Sequence, residues 1–156
     1  MLKASVQLGS PRYSLDRIFI RENHRDVAFD VVSTEAFDIW FGSLSVPTQQ
    51  AVLFGVELLK AKGAMLGRPH VDTLKGSRYP NMKELRVRHA GHHLRILFAF
   101  DPERKAVLLV GGDKTSVGNR IYERLIHTAD ALYEAHLKNL QSTKKVSEEN
   151  HGKESR

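Results

Sequence analysis

The stretch from Glu84 to Phe100, ELRVRHAGHHLRILFAF, constrains the fold of this chain more than any other. Its alternation predicts a β-hairpin with two unlike faces. Successive strand side chains point to opposite sides of a sheet. Leu85, Val87, Leu94, Ile96, Phe98 and Phe100 therefore share one side, and Glu84, Arg86, Arg88 and Arg95 share the other. The turn falls within His89-Ala90-Gly91-His92, where Gly91 can take a positive φ. Only registers that keep apolar against apolar are allowed, because a slip of one residue turns every side chain over. Pairing of His89 with His92 sets Arg86 opposite Arg95 and Arg88 opposite His93. A turn at Gly91-His92 sets Arg88 opposite Arg95 instead. In both cases guanidinium groups face each other across one pair of strands, which destabilises a sheet. An anionic partner such as a phosphate backbone is the simplest reason to keep them.

The distribution of charge agrees. The 156 residues carry a formal net charge of +6, with a sequence pI of about 9.7. Between Lys60 and Arg95 stand nine Lys and Arg against only Asp72 and Glu84, so this segment alone carries +7. A concentrated basic zone is the electrostatic footprint of nucleic-acid binding. The plain alternative is a solvated surface that aids solubility. The length suits one domain with a single sheet and a few helices. Cysteine is absent, which excludes disulfides, thiolate metal sites and a cysteine nucleophile. No apolar run reaches the about 18 residues that a membrane span needs, and the N-terminus lacks the apolar core of a signal peptide. A cytoplasmic protein without a membrane partner is expected.

Residues 1–26 show neither helical nor strand period and are expected to form a poorly ordered extension. Val27–Val32 is the first strand. Thr34 is an N-cap for a helix from Glu35 to about Leu44, with Phe37, Trp40, Phe41 and Leu44 as its core stripe. Pro47 at N1 opens a second helix that runs to about Met65 along Val52, Val56 and Leu59, with Gly63 as a stop signal. Gly67 to Pro80 reads as a basic loop, and the arginine-bearing hairpin follows. Val107–Val110, apolar at every position, suits a central strand covered on both sides, and Gly111-Gly112 ends it. A last helix starts near Asn119 with Ile121, Leu125, Ala129, Leu132, His136 and Leu140 as its stripe. From residue 141 to 156 the chain is polar and expected to be disordered. The resulting class is α+β. A mostly antiparallel sheet of about four strands is covered on one face by helices, with an N-terminal helical hairpin and a C-terminal helix.

Residues 28–140 resemble HigB-type toxins of the RelE/ParE superfamily, in its phage-derived, host-inhibition branch. The residues that carry the likeness are Pro47-Thr48-Gln49-Gln50, LGRPHVDTLKGSRYPNMKELRV over Leu66–Val87, and LRILFAFDPERKAVLLVGGDKT over Leu94–Thr115. Members of this family typically begin at the first strand, so residues 1–26 depart from the pattern. A translation start at Val27 from a GTG codon accounts for that departure, and mass spectrometry of the native N-terminus tests it. The resemblance implies a toxin of a two-gene toxin–antitoxin module that cleaves mRNA in the ribosomal decoding site. It also implies a helix-turn-helix antitoxin as partner.

Metal-free RNA cleavage uses the ribose 2′-OH as nucleophile and needs a dianionic phosphorane stabilised and the 5′-oxygen protonated. No cofactor and no metal are expected. Arg95 is the first candidate for transition-state stabilisation and matches the family's strand arginine; its structural alternative is an ion pair with Glu84 or Asp113. Arg86, the arginine of Glu-Leu-Arg, flanks the same phosphate in one register. Lys114 leaves the last strand beside Gly111 and Gly112, and the resemblance supports a catalytic or RNA-contacting role. Lys75, Arg78 and Tyr79 suit phosphate contact and base stacking, and Arg88 and His93 extend the basic face. The family's acid/base residue near the C-terminus has its nearest counterpart in Tyr122, and the general acid and base stay unassigned. His136 reads as a partly buried structural histidine. Two other functions compete with an mRNA endoribonuclease. One is a ParE-like inhibitor of DNA gyrase on the same fold; the other is a non-catalytic nucleic-acid-binding regulator.

Overall fold

A computed structural model describes residues 29–115 and 118–154. The expectation for residues 1–26 therefore falls outside the described residues. The elements run β1 (Val31–Ser33), α1 (Glu35–Gly42), α2 (Val46–Lys62), a 3-10 turn (Gly63–Met65), β2 (Val71–Thr73), β3 (Lys83–His89), β4 (His92–Phe100), β5 (Ala106–Asp113) and α3 (Asn119–Glu154).

The strands form one sheet in the order β1-β5-β4-β3-β2. β1 runs parallel to β5 and the other neighbours are antiparallel. The fifth strand is β2, inside the segment expected to be a loop. It escapes a periodicity reading because it has three residues, of which only Val71 is buried. Backbone pairing with β3 makes it a strand.

The helical hairpin follows its local signals. The Thr34 side chain accepts a hydrogen bond from the Phe37 N–H at 3.2 Å, capping α1. Ser45 caps α2, and Pro47 lies in its first turn, where a missing N–H costs nothing.

The sheet is covered on both faces, not on one. On the first face, Phe37 and Phe41 of α1 and Val52, Val56 and Leu59 of α2 pack with Leu85, Val87, Leu94, Ile96, Phe98 and Leu108. On the second, Ile126, Ala129 and Tyr133 of α3 pack with Leu97, Ala99, Val107, Leu109 and Val110. A bulge in β5 leaves Leu109 without a partner, since Leu97 pairs with Val110 and Phe98 with Leu108. β5 also continues through Gly111-Gly112 instead of ending there.

α3 keeps much of the expected stripe but differs at its start and in length. Ile126, Ala129 and Tyr133 are buried, with Tyr122, Leu125, Leu132 and Leu137 packed partly buried beside them, while Ile121 is 52% exposed. The two tyrosines carry polar tips on apolar bodies, and each tip finds an acceptor, so both rings can lie under the helix. The helix also runs on through Glu154, where a disordered tail was expected. Once the packed part has formed the first turns, further turns add one hydrogen bond per residue and need no apolar face.

Candidate nucleic-acid interface

The hairpin register decides which side chains meet. His89 pairs with His92, Arg88 with His93, Arg86 with Arg95 and Glu84 with Leu97. Ala90 and Gly91 both have positive φ, 48° and 80°, as a two-residue I′ turn requires. On the other edge of β4, Arg95 pairs with Gly112, and the Lys114 N–H donates to the His93 carbonyl at 2.9 Å. Two rungs of basic groups thus lie side by side on the second face, beyond the start of α3. One rung is Arg88, His93 and Lys114; the other is Arg86 and Arg95.

Glu84 stands on the next rung and is 5% exposed. Its Oε1 accepts from Arg86 Nε at 2.9 Å and lies 3.8 Å from Arg95 Nε. Its Oε2 accepts a hydrogen bond from the Tyr122 hydroxyl. The two opposed guanidiniums therefore share one buried carboxylate. Arg86 also bonds Asp72 Oδ2 at 3.1 Å, and Asp72 is bridged at 2.8 Å by Arg68 from outside. The Arg68 hydrogen bond, helped by Arg86, holds the Asp72 carboxyl below the usual carboxylate range against the opposing effect of burial. An alternating line of charge results: Arg68, Asp72, Arg86, Glu84, Arg95.

Arg95 is on the expected face but is 7% exposed. Its Nη1 donates to the Leu94 carbonyl at 3.0 Å, and its Nε has no hydrogen-bond acceptor. The ion partner is Glu84; Asp113 is engaged elsewhere. Asp113 takes His92 Nδ1 at 2.5 Å and the backbone N–H groups of His93 and Thr115. Burial raises the Asp113 pKa, but these hydrogen bonds outweigh it and hold the carboxyl low.

Tyr122 closes the site from above. Its ring lies between Glu84 and Lys114, whose Nζ stands 4.8 Å from the ring centroid. Burial, then the bond to Glu84 and its negative charge, push the Tyr122 hydroxyl well above its ordinary pKa, so it stays protonated and donates its hydrogen bond to Glu84. Arg88 and Lys114 are exposed, and Arg86 and His93 are half-buried. On this face five cations, Arg68, Arg86, Arg88, Arg95 and Lys114, stand against two carboxylates, Asp72 and Glu84. The arrangement can hold an oxyanion and stabilise added negative charge.

Lys75, Arg78 and Tyr79 do not join this cluster. Their loop packs along the middle of α3, where Ser77 and the Arg78 N–H bind Asp130. Arg78 Nη2 bonds Glu134 at 2.5 Å, which holds the Glu134 carboxyl low and raises the Arg78 pKa. Glu134 is 12 residues beyond Tyr122, about 18 Å along the helix axis. Tyr79 stands edge-on to Tyr133, with ring centroids 4.9 Å apart. Lys75 is exposed on the same loop. His136 is structural as expected: Nε2 lies 2.8 Å from Oδ2 of Asp101, a buried carboxylate at the β4–β5 turn.

Sequence reasoning offered Glu84 as an ion partner of Arg95 but left its sharing with Arg86 and the reach of Tyr122 unassigned. The parity of Glu84 with Arg86 was the available signal. The contact of Tyr122 with a residue 38 positions away had none.

Residues 39–134 match the family described as Phage derived protein Gp49-like. The chain is 40% identical over 111 residues to a Mycobacterium tuberculosis protein named "Putative toxin HigB2", a match covering 70% of this chain and 55% of that protein. It is 47% identical over 91 residues to "Putative toxin HigB3" of the same organism, covering 58% of this chain and 78% of that protein. The chain thus spans little more than half the length of the first of these relatives. Since the family match takes in β4, β5, the site rungs and the packed part of α3, this chain belongs to the phage-derived Gp49-like protein family.

Proposed function

We propose that this protein is the toxin of a type II toxin–antitoxin module of the RelE/ParE superfamily. Its proposed activity is metal-independent, ribosome-dependent cleavage of mRNA. The names of the two mycobacterial relatives support the toxin reading. The observation that carries the chemistry is the pair Arg86 and Arg95, set opposite each other around a single carboxylate with Lys114 close by.

In this reading the ribose 2′-OH attacks the adjacent phosphorus and the P–O5′ bond breaks, giving a 2′,3′-cyclic phosphate and a 5′-OH end. The 2′ proton leaves to a base and the 5′-oxygen receives one from an acid. Arg86 and Arg95 stabilise the charge that develops on the nonbridging oxygens. Lys114 stabilises or protonates the departing 5′-oxygen. Arg88 and His93 hold the flanking backbone. Lys75, Arg78 and Tyr79 lie further along α3, where they serve a second stretch of nucleic acid; Arg78 must first give up Glu134. A helix-turn-helix antitoxin is the proposed protein partner.

Expression in a bacterial host with mapping of mRNA 5′ ends tests the proposal. Growth arrest with codon-spaced cuts that vanish when translation is blocked is expected, and Arg86→Ala should abolish both. Intact mRNA with DNA-damage signalling would replace this reading by gyrase inhibition. Intact mRNA without it would leave a non-catalytic nucleic-acid-binding regulator.

A further inference from the structure

We propose that Glu84 is a built-in occupant of the oxyanion position between Arg86 and Arg95, and that an RNA phosphodiester enters the site by displacing it. The identity of the displacing anion rests on the nuclease reading above; the exchange itself rests on the geometry alone.

Three observations converge. First, Arg95 is 7% exposed, yet its Nε–H has no acceptor. Orphaned buried donors are rare in folded proteins and mark a place where a partner is due. Second, the nearest anion is the Glu84 carboxylate, and it stops at 3.8 Å, outside hydrogen-bond range. Its two oxygens are committed to Arg86 and to the Tyr122 hydroxyl. A flat carboxylate tethered to β3 cannot satisfy both guanidiniums. Third, the two arginines stand directly opposite each other in the ladder. Removing Glu84 without a replacement would expose that repulsion in a poorly solvated site.

A phosphodiester has the same single charge on two terminal oxygens, but it is tetrahedral and free to choose its position. It can engage Arg95 Nε and the outer edge of Arg86 together. The Tyr122 hydroxyl, freed from Glu84, lies beside the same anion, below Lys114. Because Glu84 is tethered, it competes at a high effective concentration. The free protein is therefore a weak ligand for any small anion. Only a substrate that adds contacts to Arg88 and His93 outcompetes the internal carboxylate. The free site is self-blocked, and entry is tied to the length of nucleic acid presented.

The test compares wild type, Glu84→Gln and Glu84→Ala, with the exposed Glu123→Gln as a control for loss of one negative charge. Thermal unfolding is measured in inorganic phosphate and in chloride at matched ionic strength. Binding of a 2′-O-methylated RNA oligonucleotide, which cannot be cleaved, is measured by fluorescence anisotropy. Phosphate should raise the Tm of Glu84→Ala by about 5 °C and leave wild type within about 1 °C. The oligonucleotide should bind Glu84→Gln at least about tenfold tighter than wild type, and Glu123→Gln no more than about threefold tighter. If Glu84→Ala does not fold, Glu84→Gln carries both measurements. The inference is overturned if phosphate acts equally on all variants, or if the oligonucleotide binds but binds Glu84→Gln no more tightly than Glu123→Gln. A phosphate response confined to the Glu84 variants, with no oligonucleotide binding to any of them, upholds the exchange and removes the nuclease reading. Tight RNA binding that is equal in all variants does the reverse.

Discussion

Trp40 lies so close over Gly111 that a Cβ there would stand 2.2 Å from the indole Cε3. The glycine in β5 is thus the floor on which α1 rests, and no other residue type leaves that space. Gly111→Ala must push α1 off the sheet and is expected to cost about 2–3 kcal/mol, the range for forcing extra volume into a packed core. Urea denaturation followed by Trp40 fluorescence measures it, since this is the single tryptophan of the chain. A loss below about 0.5 kcal/mol would show that the indole moves aside freely.

The hairpin turn carries a residue ill-suited to it. Ala90 sits at φ 48° in the I′ turn, a region that Asn tolerates better. Ala90→Asn should stabilise the fold by about 0.5–1 kcal/mol, with the hairpin register unchanged. A destabilised variant in thermal melts would contradict the turn assignment.

Asp101 ties the β4–β5 turn to α3. Its Oδ1 accepts from the N–H groups of Glu103 and Lys105, each at 2.9 Å, and its Oδ2 faces His136. Asp101→Ala removes the buried carboxylate and leaves its three partners, the Glu103 and Lys105 N–H groups and His136, without it, and should cost about 2–4 kcal/mol. His136→Ala should cost less, because the turn bonds survive. Equal losses in the two variants would mean that the turn contributes nothing of its own.

Tyr122 gives a pH signature at the alkaline end. Its folded pKa is raised, so its contribution to stability is complete below the unfolded value near 10 and is lost as pH rises through the folded value. The stability gap between wild type and Tyr122→Phe should stay constant through neutral pH and shrink only well above pH 10. The phenolate absorbance difference between the two proteins should be absent at about pH 10.5, where a free tyrosine is already mostly ionised. A normal titration of this residue would break its bond to Glu84 as an explanation.

Arg88 separates binding from folding. It is exposed and makes no side-chain hydrogen bond or ion pair among the described residues. Arg88→Ala should leave the Tm within about 1 °C and lower the slope of log affinity for RNA against log salt by about 1. An unchanged slope would place the RNA elsewhere.

Much of this protein was legible in its sequence because the signals were local. Alternation between Glu84 and Phe100, with a turn that needs positive φ, sufficed to narrow the register to two and to put arginine opposite arginine. Thr34 and Pro47 announced the helical hairpin, because caps and first-turn prolines act within one turn of helix. Only the tertiary structure decided the rest. β2 exists because β3 offers it a backbone partner, since three residues carry no period. The second covered face comes from where α3 lands, with tyrosines that bury their rings while keeping their hydroxyls bonded. The burial of Arg95 and the place of Glu84 between two guanidiniums depend on where α3 lands. Electrostatic partners are chosen by distance in space, and alternation along a strand reports only the face on which a charge stands.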